Sequence, residues 1–161
     1  MAQFFKFYKS EFNPTGLSGV VGGSISNLEV QPQLNELFAP MSVSDVVTQN
    51  QYRKVFAKQV RSGSFTGVSI ELGNVEHEDQ IFFNIPTGAI GLTGTASNPL
   101  SAPESLQYVG AFSGDYDTSI LATASSTYNT VIPIWLRQTL APGISDDDSA
   151  RFTIRVRATK I

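Results

Sequence analysis

The chain has 161 residues, 41% of them hydrophobic and 16% charged, and its formal net charge is −3. That length suffices for one domain with its own core, and the hydrophobic fraction excludes a chain that is disordered throughout. The weak negative charge argues against a nucleic acid or an acidic membrane as the main partner. Because there is no cysteine, neither a disulfide framework nor a thiolate zinc site can form.

No apolar run approaches the roughly 20 residues that a membrane-spanning helix needs. The opening MAQFFKFYKSEF lacks the basic region and the long apolar core of a secretory signal. We therefore expect a protein that is soluble or part of a soluble assembly, with no membrane partner.

The chain begins with an aromatic strand candidate over residues 2–8, and residues 24–30 form a second strand candidate. Residues 19–24 (GVVGGS) lack the lysine of a phosphate-binding loop, so they are typical of a turn or of part of a flexible arm. We predict a flexible N-terminal arm over residues 1–23. Residues 34–38 fit either a helical turn or a short strand.

The middle of the chain contains the clearest strand candidates, at residues 52–60, 65–72 and 80–85. Val68, Ile70 and Leu72 alternate with polar neighbours, which is the period of a half-buried strand. Residues 52–60 do not alternate, which indicates contacts on both faces of that strand. Because short turns separate the three segments, they are predicted to pair in sequence as an antiparallel meander.

Residues 86–106 are rich in proline and small residues, which predicts a long loop of the functional or flexible kind. Further strand candidates follow at residues 107–112, 130–140 and 151–159. Pro133 favours an edge strand or a bulge at its position. In the last strand the alternate positions predicted to face the core are Phe152, Ile154, Val156 and Ala158.

About eight short strands separated by turn signals predict an all-β fold. The expected architecture is an antiparallel β-sandwich with long loops, of either the immunoglobulin-like or the jelly-roll type. We expect one such domain over residues 1–161. The order of the strands stays open, because periodicity does not encode it.

Charged side chains are distributed unevenly. The acidic stretch comprises Glu71, Glu76, Glu78 and Asp79, and the basic C-terminus comprises Arg151, Arg155, Arg157 and Lys160. Such runs commonly lie on solvated strands and turns. Alternatively, they form complementary patches that meet across a subunit contact. Arg151, Arg155 and Arg157 are therefore candidates for binding an acidic partner. Trp135, the lone tryptophan, is a candidate anchor in the core or in an interface.

His77 is the only histidine, so any Ser-His-Asp triad would have to include it. The carboxylates beside it could orient the imidazole, but the nucleophile motif G-x-S-x-G does not occur. A solvent-exposed turn is the simpler interpretation. We expect a non-enzyme that carries no cofactor.

Oxygen ligands for a hard ion such as calcium could come from the acidic stretch, from Asp115 with Asp117, or from residues 146–148 (DDD). None of these matches the twelve-residue EF-hand pattern. Aspartate also hydrogen-bonds the backbone of turns, so solvated turns without a metal are predicted.

Residues 52–58 (YRKVFAK) interleave aromatic and basic side chains, a mixture found in proteins that bind single strands. The negative net charge and the acidic stretch argue against that interpretation. We therefore expect no specific nucleic-acid partner.

Two parts of the chain resemble a family of tailed-phage virion proteins. The first part comprises residues 52–56 (YRKVF), 65–72 and 79–81 (DQI), a tyrosine-arginine strand start followed by an acidic turn. The second comprises residues 132–137 (IPIWLR), 141–143 (APG) and 152–156 (FTIRV), and the opening segments KFY and GGSI fit as well. The resemblance covers most of the chain apart from the loops between Pro86 and Asn129.

This resemblance implies a non-enzymatic structural protein of the virion, with a capsid decoration (cement) protein as the preferred role. It further implies the major capsid protein as partner, a homo-oligomer with a trimer favoured, and a place on the capsid surface after assembly in the host cytoplasm. The alternatives are a tail, baseplate or fibre-associated protein, a carbohydrate-binding module, and a small hydrolase that depends on His77.

Overall fold

A computed structural model describes residues 3–31, 37–41, 48–73, 81–103, 119–142 and 152–161 of the chain. The strands are β1 Phe5–Phe12, β2 Val21–Glu29, β3 Gln49–Gln59, β4 Phe65–Gly73, β5 Ile81–Asn84, β6 Thr95–Ala96, β7 Ser119–Ser126, β8 Val131–Leu140 and β9 Thr153–Lys160. A single turn-and-a-half helix, α1 Gly88–Thr93, lies among these described elements.

The strands form two antiparallel sheets that pack against each other. The larger sheet has the order β5-β8-β3-β1-β2-β6, and the smaller sheet has the order β7-β4-β9. The prediction of an all-β antiparallel sandwich is confirmed. No helix within the described ranges is long and apolar enough to cross a membrane.

The core between the two sheets comes from residues that alternate along the strands. Val68, Ile70 and Leu72 of β4 are fully buried in this core, as their spacing predicted. Along β9 and at the residue just before it, the predicted inward residues pack against the core from its margin; they are Phe152, Ile154, Val156 and Ala158. Each large aliphatic side chain that is fully buried in this core stabilises the fold by about 1.5–3 kcal/mol.

The larger sheet is covered on its other face too. There Val21, Tyr52, Ala96 and Trp135 form a second buried cluster. The segment that contains α1 and β6 supplies this cover, and it is fixed by the Tyr52 N–H, which donates to the Pro99 carbonyl at 2.7 Å. The prediction that residues 52–60 are contacted on both faces is confirmed, since β3 is buried along most of its length.

The predicted meander of three consecutive strands is wrong. β3 and β4 belong to different sheets, and β5 pairs with β8 instead of β4. The reason is that the turn at residues 61–64 carries the chain across to the other sheet. In this position the apolar side chains of β4 face those of β3 across the core. In a meander, by contrast, the two strands would lie side by side in one sheet.

Three other predictions need correction. Residues 86–106 were expected to be loop, but they contain α1 and β6. β7 lies in a polar stretch for which no strand was predicted. β8 is an interior strand between β5 and β3, so the edge position predicted from Pro133 is wrong for the strand as a whole. Because β5 ends opposite Trp135, no described strand pairs with Pro133 on the β5 side. The strand candidate at residues 107–112 falls outside the described residues.

The flexible arm predicted over residues 1–23 is wrong for residues 5–12 and 21–23, which lie in strands. β1 is an interior strand between β3 and β2, and β2 begins at Val21. Aromatic packing explains the difference, because the rings of Phe4 and Phe5 contact Phe65 edge-on at centroid distances of 5.2 and 5.4 Å. Removal of residues 2–23 would therefore take out part of the sheet.

Gly22 provides a test of how closely the segment that contains α1 and β6 approaches the larger sheet. Its φ is +102°, and a Cβ there would lie 2.7 Å from the Gly94 carbonyl oxygen and 3.0 Å from the Trp135 ring. We expect Gly22→Ala to lower the free energy of unfolding by about 1–3 kcal/mol in urea denaturation. Gly16→Ala is the matched control, since a Cβ there would meet nothing within 4 Å. Equal stability of the two variants would contradict this packing.

Candidate partner-binding surface

The outward face of the smaller sheet carries the basic residues that the sequence singled out. We call Ser69, Glu71, Leu121, Arg155 and Arg157 the basic face. Cross-strand register brings them together, since Ser69 lies opposite both Leu121 and Arg157, and Glu71 lies opposite Arg155. These positions alternate with the core residues of the same strands, so their side chains point away from the core. Leu121 is 61% exposed at the β7 margin of this face.

Glu71 holds both arginines in place. Nε of Arg155 lies 2.9 Å from Glu71 Oε1, and Nε of Arg157 lies 2.9 Å from Oε2. The first contact is an ion pair without the alignment of a hydrogen bond. The carboxylate is 5% exposed, while the arginine side chains are 45% and 69% exposed. One buried negative charge therefore fixes two outward-facing positive charges, and one positive charge remains in excess.

This arrangement changes the interpretation of the two charged patches. Members of the acidic stretch and of the basic C-terminus meet within one chain, at Glu71, Arg155 and Arg157. The excess positive charge and the exposed guanidinium groups still offer donors to a carboxylate-bearing partner. Arg151 and the rest of the acidic stretch lie outside the described residues.

Trp135 is a core residue and not part of an exposed surface. It is fully buried and belongs to the cluster beneath the segment that contains α1 and β6. Its proposed contact with a partner is therefore not available in this structure. The sequence left open whether Trp135 anchors the core or an interface, and in the structure it lies in the core.

Lys54 is a buried lysine whose environment the sequence did not reveal. It is 1% exposed, and its Nζ donates to the carbonyls of Gly94 at 3.0 Å and Gly23 at 3.2 Å. The ammonium also lies 5.2 Å from the centroid of Phe56 and 5.5 Å from that of Trp135, within cation–π range. Burial lowers the pKa of Lys54 to about 8. Its role is to tie the segment after α1 to β2.

The adjacent Arg53 is also buried, but it points to the opposite face of β3, where its Nη2 donates to the Gly16 carbonyl at 2.8 Å. Because Arg53 and Lys54 are both buried and on opposite faces, they cannot form an exposed basic stripe. The interpretation of residues 52–58 as a single-strand binding segment is therefore not supported. Their burial could have been foreseen, since contacts on both faces of this strand leave its charged residues no exposed side.

Most of the candidate residues for catalysis and metal binding are not among those that the structure describes. His77, Asp115, Asp117 and residues 146–148 all fall outside the described residues. Within the part of the chain that the structure describes, no group of three or more histidine, aspartate or glutamate residues could hold a metal ion.

Comparison with known proteins found no matching family model, no matching curated protein and no matching solved structure.

Neutralising Glu71 should release the two arginines. In Glu71→Gln the amide nitrogen faces guanidinium donors, so we expect the free energy of unfolding to fall by about 1 kcal/mol. Urea denaturation at low and high salt measures this. The matched control is Glu29→Gln, whose Lys6 partner lies at the same 2.9 Å but with both side chains 38% exposed. That variant should lose clearly less, because solvent screens the exposed ion pair. Equal losses would show that the burial of Glu71 adds nothing.

Lys54 should make stability depend on pH in a defined direction. Its pKa is about 8 in the folded chain, below the 10.5 of an unperturbed lysine, so between these values the unfolded state binds more protons. The stability advantage of the wild type over Lys54→Met should therefore rise with pH across this window, by up to about 3 kcal/mol. Urea denaturation of both proteins from pH 7 to 10.5 tests it. Lys58→Met, at a partly exposed lysine of the same strand, is the control. A difference that stays flat or falls with pH would contradict the prediction.

Proposed function

We propose that this chain is a non-enzymatic structural protein of a virus particle, most specifically a capsid decoration (cement) protein. The proposal rests on the resemblance of its strand motifs to tailed-phage virion proteins, and the sandwich fold is compatible with it. A rigid sandwich suits a protein that bridges neighbouring subunits, because its binding surface keeps its shape under load. In this role the chain lies on the outer capsid surface, after assembly in the host cytoplasm.

The observation that carries the binding part of the proposal is the ion triad of Glu71, Arg155 and Arg157. Arginine loses less freedom on binding when a second contact already fixes its side chain. The triad therefore presents two oriented guanidinium groups and an excess of one positive charge. The partner that fits is an acidic patch on the major capsid protein. A single contact of this kind has modest affinity. A homo-oligomer, with a trimer favoured, repeats the contact on the capsid lattice and so binds with a much higher overall affinity.

Among the alternatives, a tail, baseplate or fibre-associated protein would use the same fold and the same face. A carbohydrate-binding module is disfavoured, because Trp135, its best stacking platform, is buried. The two virion roles differ in the number of copies in a particle.

Copy number therefore tests the proposal. Particles of the virus that encodes this chain would be purified, and the chain would be quantified against the major coat protein by mass spectrometry. We expect a ratio near parity, as for a protein that covers the whole lattice. A handful of copies would assign the chain to the tail or a fibre, and absence from the particle would overturn the virion proposal.

The number of chains bound per particle, here called occupancy, tests the basic face in the same system. The triple variant E71Q/R155Q/R157Q removes all three charges at similar volume and should lower occupancy, most strongly at low salt. Arg61→Gln, at an exposed position on the turn between β3 and β4, is the matched control because it also removes one net positive charge. Glu71→Gln alone keeps both positive charges but removes the contact that orients them, so it should lower occupancy by less than the triple variant does. Equal occupancy of the triple variant and the control would exclude the basic face.

A further inference from the structure

Arg53 is a buried cation whose hydrogen-bonding capacity is mostly unused. The residue is fully buried, and one of its bonds is described, from Nη2 to the Gly16 carbonyl at 2.8 Å. Nε and Nη1 are also buried, and neither has a hydrogen-bond partner among the residues that the structure describes. A guanidinium group carries five N–H donors and no acceptor, so several donors point into the interior without a partner.

The structure provides Arg53 with no counterion among the described residues. Desolvation is the cause that lowers the pKa of Arg53, and the value of about 10 keeps the group charged at neutral pH. The contrast with the other buried charges is clear. Lys54 has two carbonyls and two aromatic rings, and Glu71 has two arginines. A buried charge without compensation costs several kcal/mol, so such sites normally contain a counter-charge.

The described neighbours of Arg53 do not supply that compensation. Leu136, which faces it across the β3–β8 ladder, is apolar. Gln51, two residues away on the same face of β3, has its amide fixed to the backbone N–H and carbonyl of Ala39 at 2.8 and 2.7 Å. The acid of the neighbouring strand β1, Glu11, is directed to β2, where its Oε2 would lie 3.0 Å from a Cβ at Gly23. The missing acceptor must therefore come from outside these groups.

We propose that Arg53 is the donor of a buried anion site that takes one small monovalent anion, such as chloride or formate. One negative charge balances the single guanidinium charge, whereas sulfate or a phosphate dianion would leave an unpaired negative charge in the core. Arg53 reaches the exposed loop at Gly16, where a Cβ would meet nothing within 4 Å, so this loop is the side from which an anion would enter. The bound anion would connect β3 to this loop. This inference is independent of the proposed function.

Anion-dependent stability of the full chain tests the site. Sodium gluconate, whose anion is bulky, would be replaced stepwise by sodium chloride or sodium formate at constant ionic strength. We expect the Tm of the wild type to rise with the logarithm of the chloride or formate concentration, because the anion binds the folded chain. Arg53→Met should lose this dependence, and in gluconate it should be at least as stable as the wild type. Arg61→Met, at an exposed arginine, should keep the wild-type response.

A direct measurement covers the case in which Arg53→Met does not fold. The ³⁵Cl resonance of chloride should broaden in the presence of the wild-type chain, and formate should reverse the broadening by competition. The inference is overturned if the Tm of the wild type does not respond to either anion. It is equally overturned if Arg53→Met responds as the wild type does, or if the chloride resonance is not broadened.

Discussion

The burial of β3 on both faces is the constraint on which the rest of the structure depends. This strand lies in the middle of the larger sheet, with the sandwich core on one face and the cluster around Trp135 on the other. Its sequence, QNQYRKVFAKQ, nevertheless contains amides and cations as well as apolar residues. Because water is excluded from both faces, each polar side chain needs a partner within the protein.

Those partners determine where the loops of the sandwich lie. Gln51 holds the backbone at Ala39, and Gln59 donates to the carbonyls of Arg61 and Gly63 in the turn that leads to the other sheet. Lys54 holds Gly94 after α1. The polar residues of β3 therefore act as anchors for segments that have little regular structure. Arg53 departs from this pattern, since most of its donors have no partner within the described ranges.

The sequence predicted features that depend on local alternation and could not predict features that depend on pairing. The inward faces of β4 and β9 follow from a period of two, and both were correct. The placement of β5 beside β8 depends on partners distant in sequence, so proximity along the chain led to a wrong meander. The basic face is an intermediate case. The sequence singled out Arg155 and Arg157 as candidates for binding an acidic partner, but their contact with Glu71 needs the register between β4 and β9.

The pairing of β3 with β8 also has a consequence for the order in which the chain acquires its structure during synthesis. β1, β2 and β3 are complete before β8 is made, yet β8 supplies the neighbour along the whole of β3. Until β8 leaves the ribosome, β3 lacks its pairing partner along that edge, although the β4 residues that face it in the core have already been made. Completion of the larger sheet therefore waits for β8, and until then β3 presents an open edge that another strand could pair with.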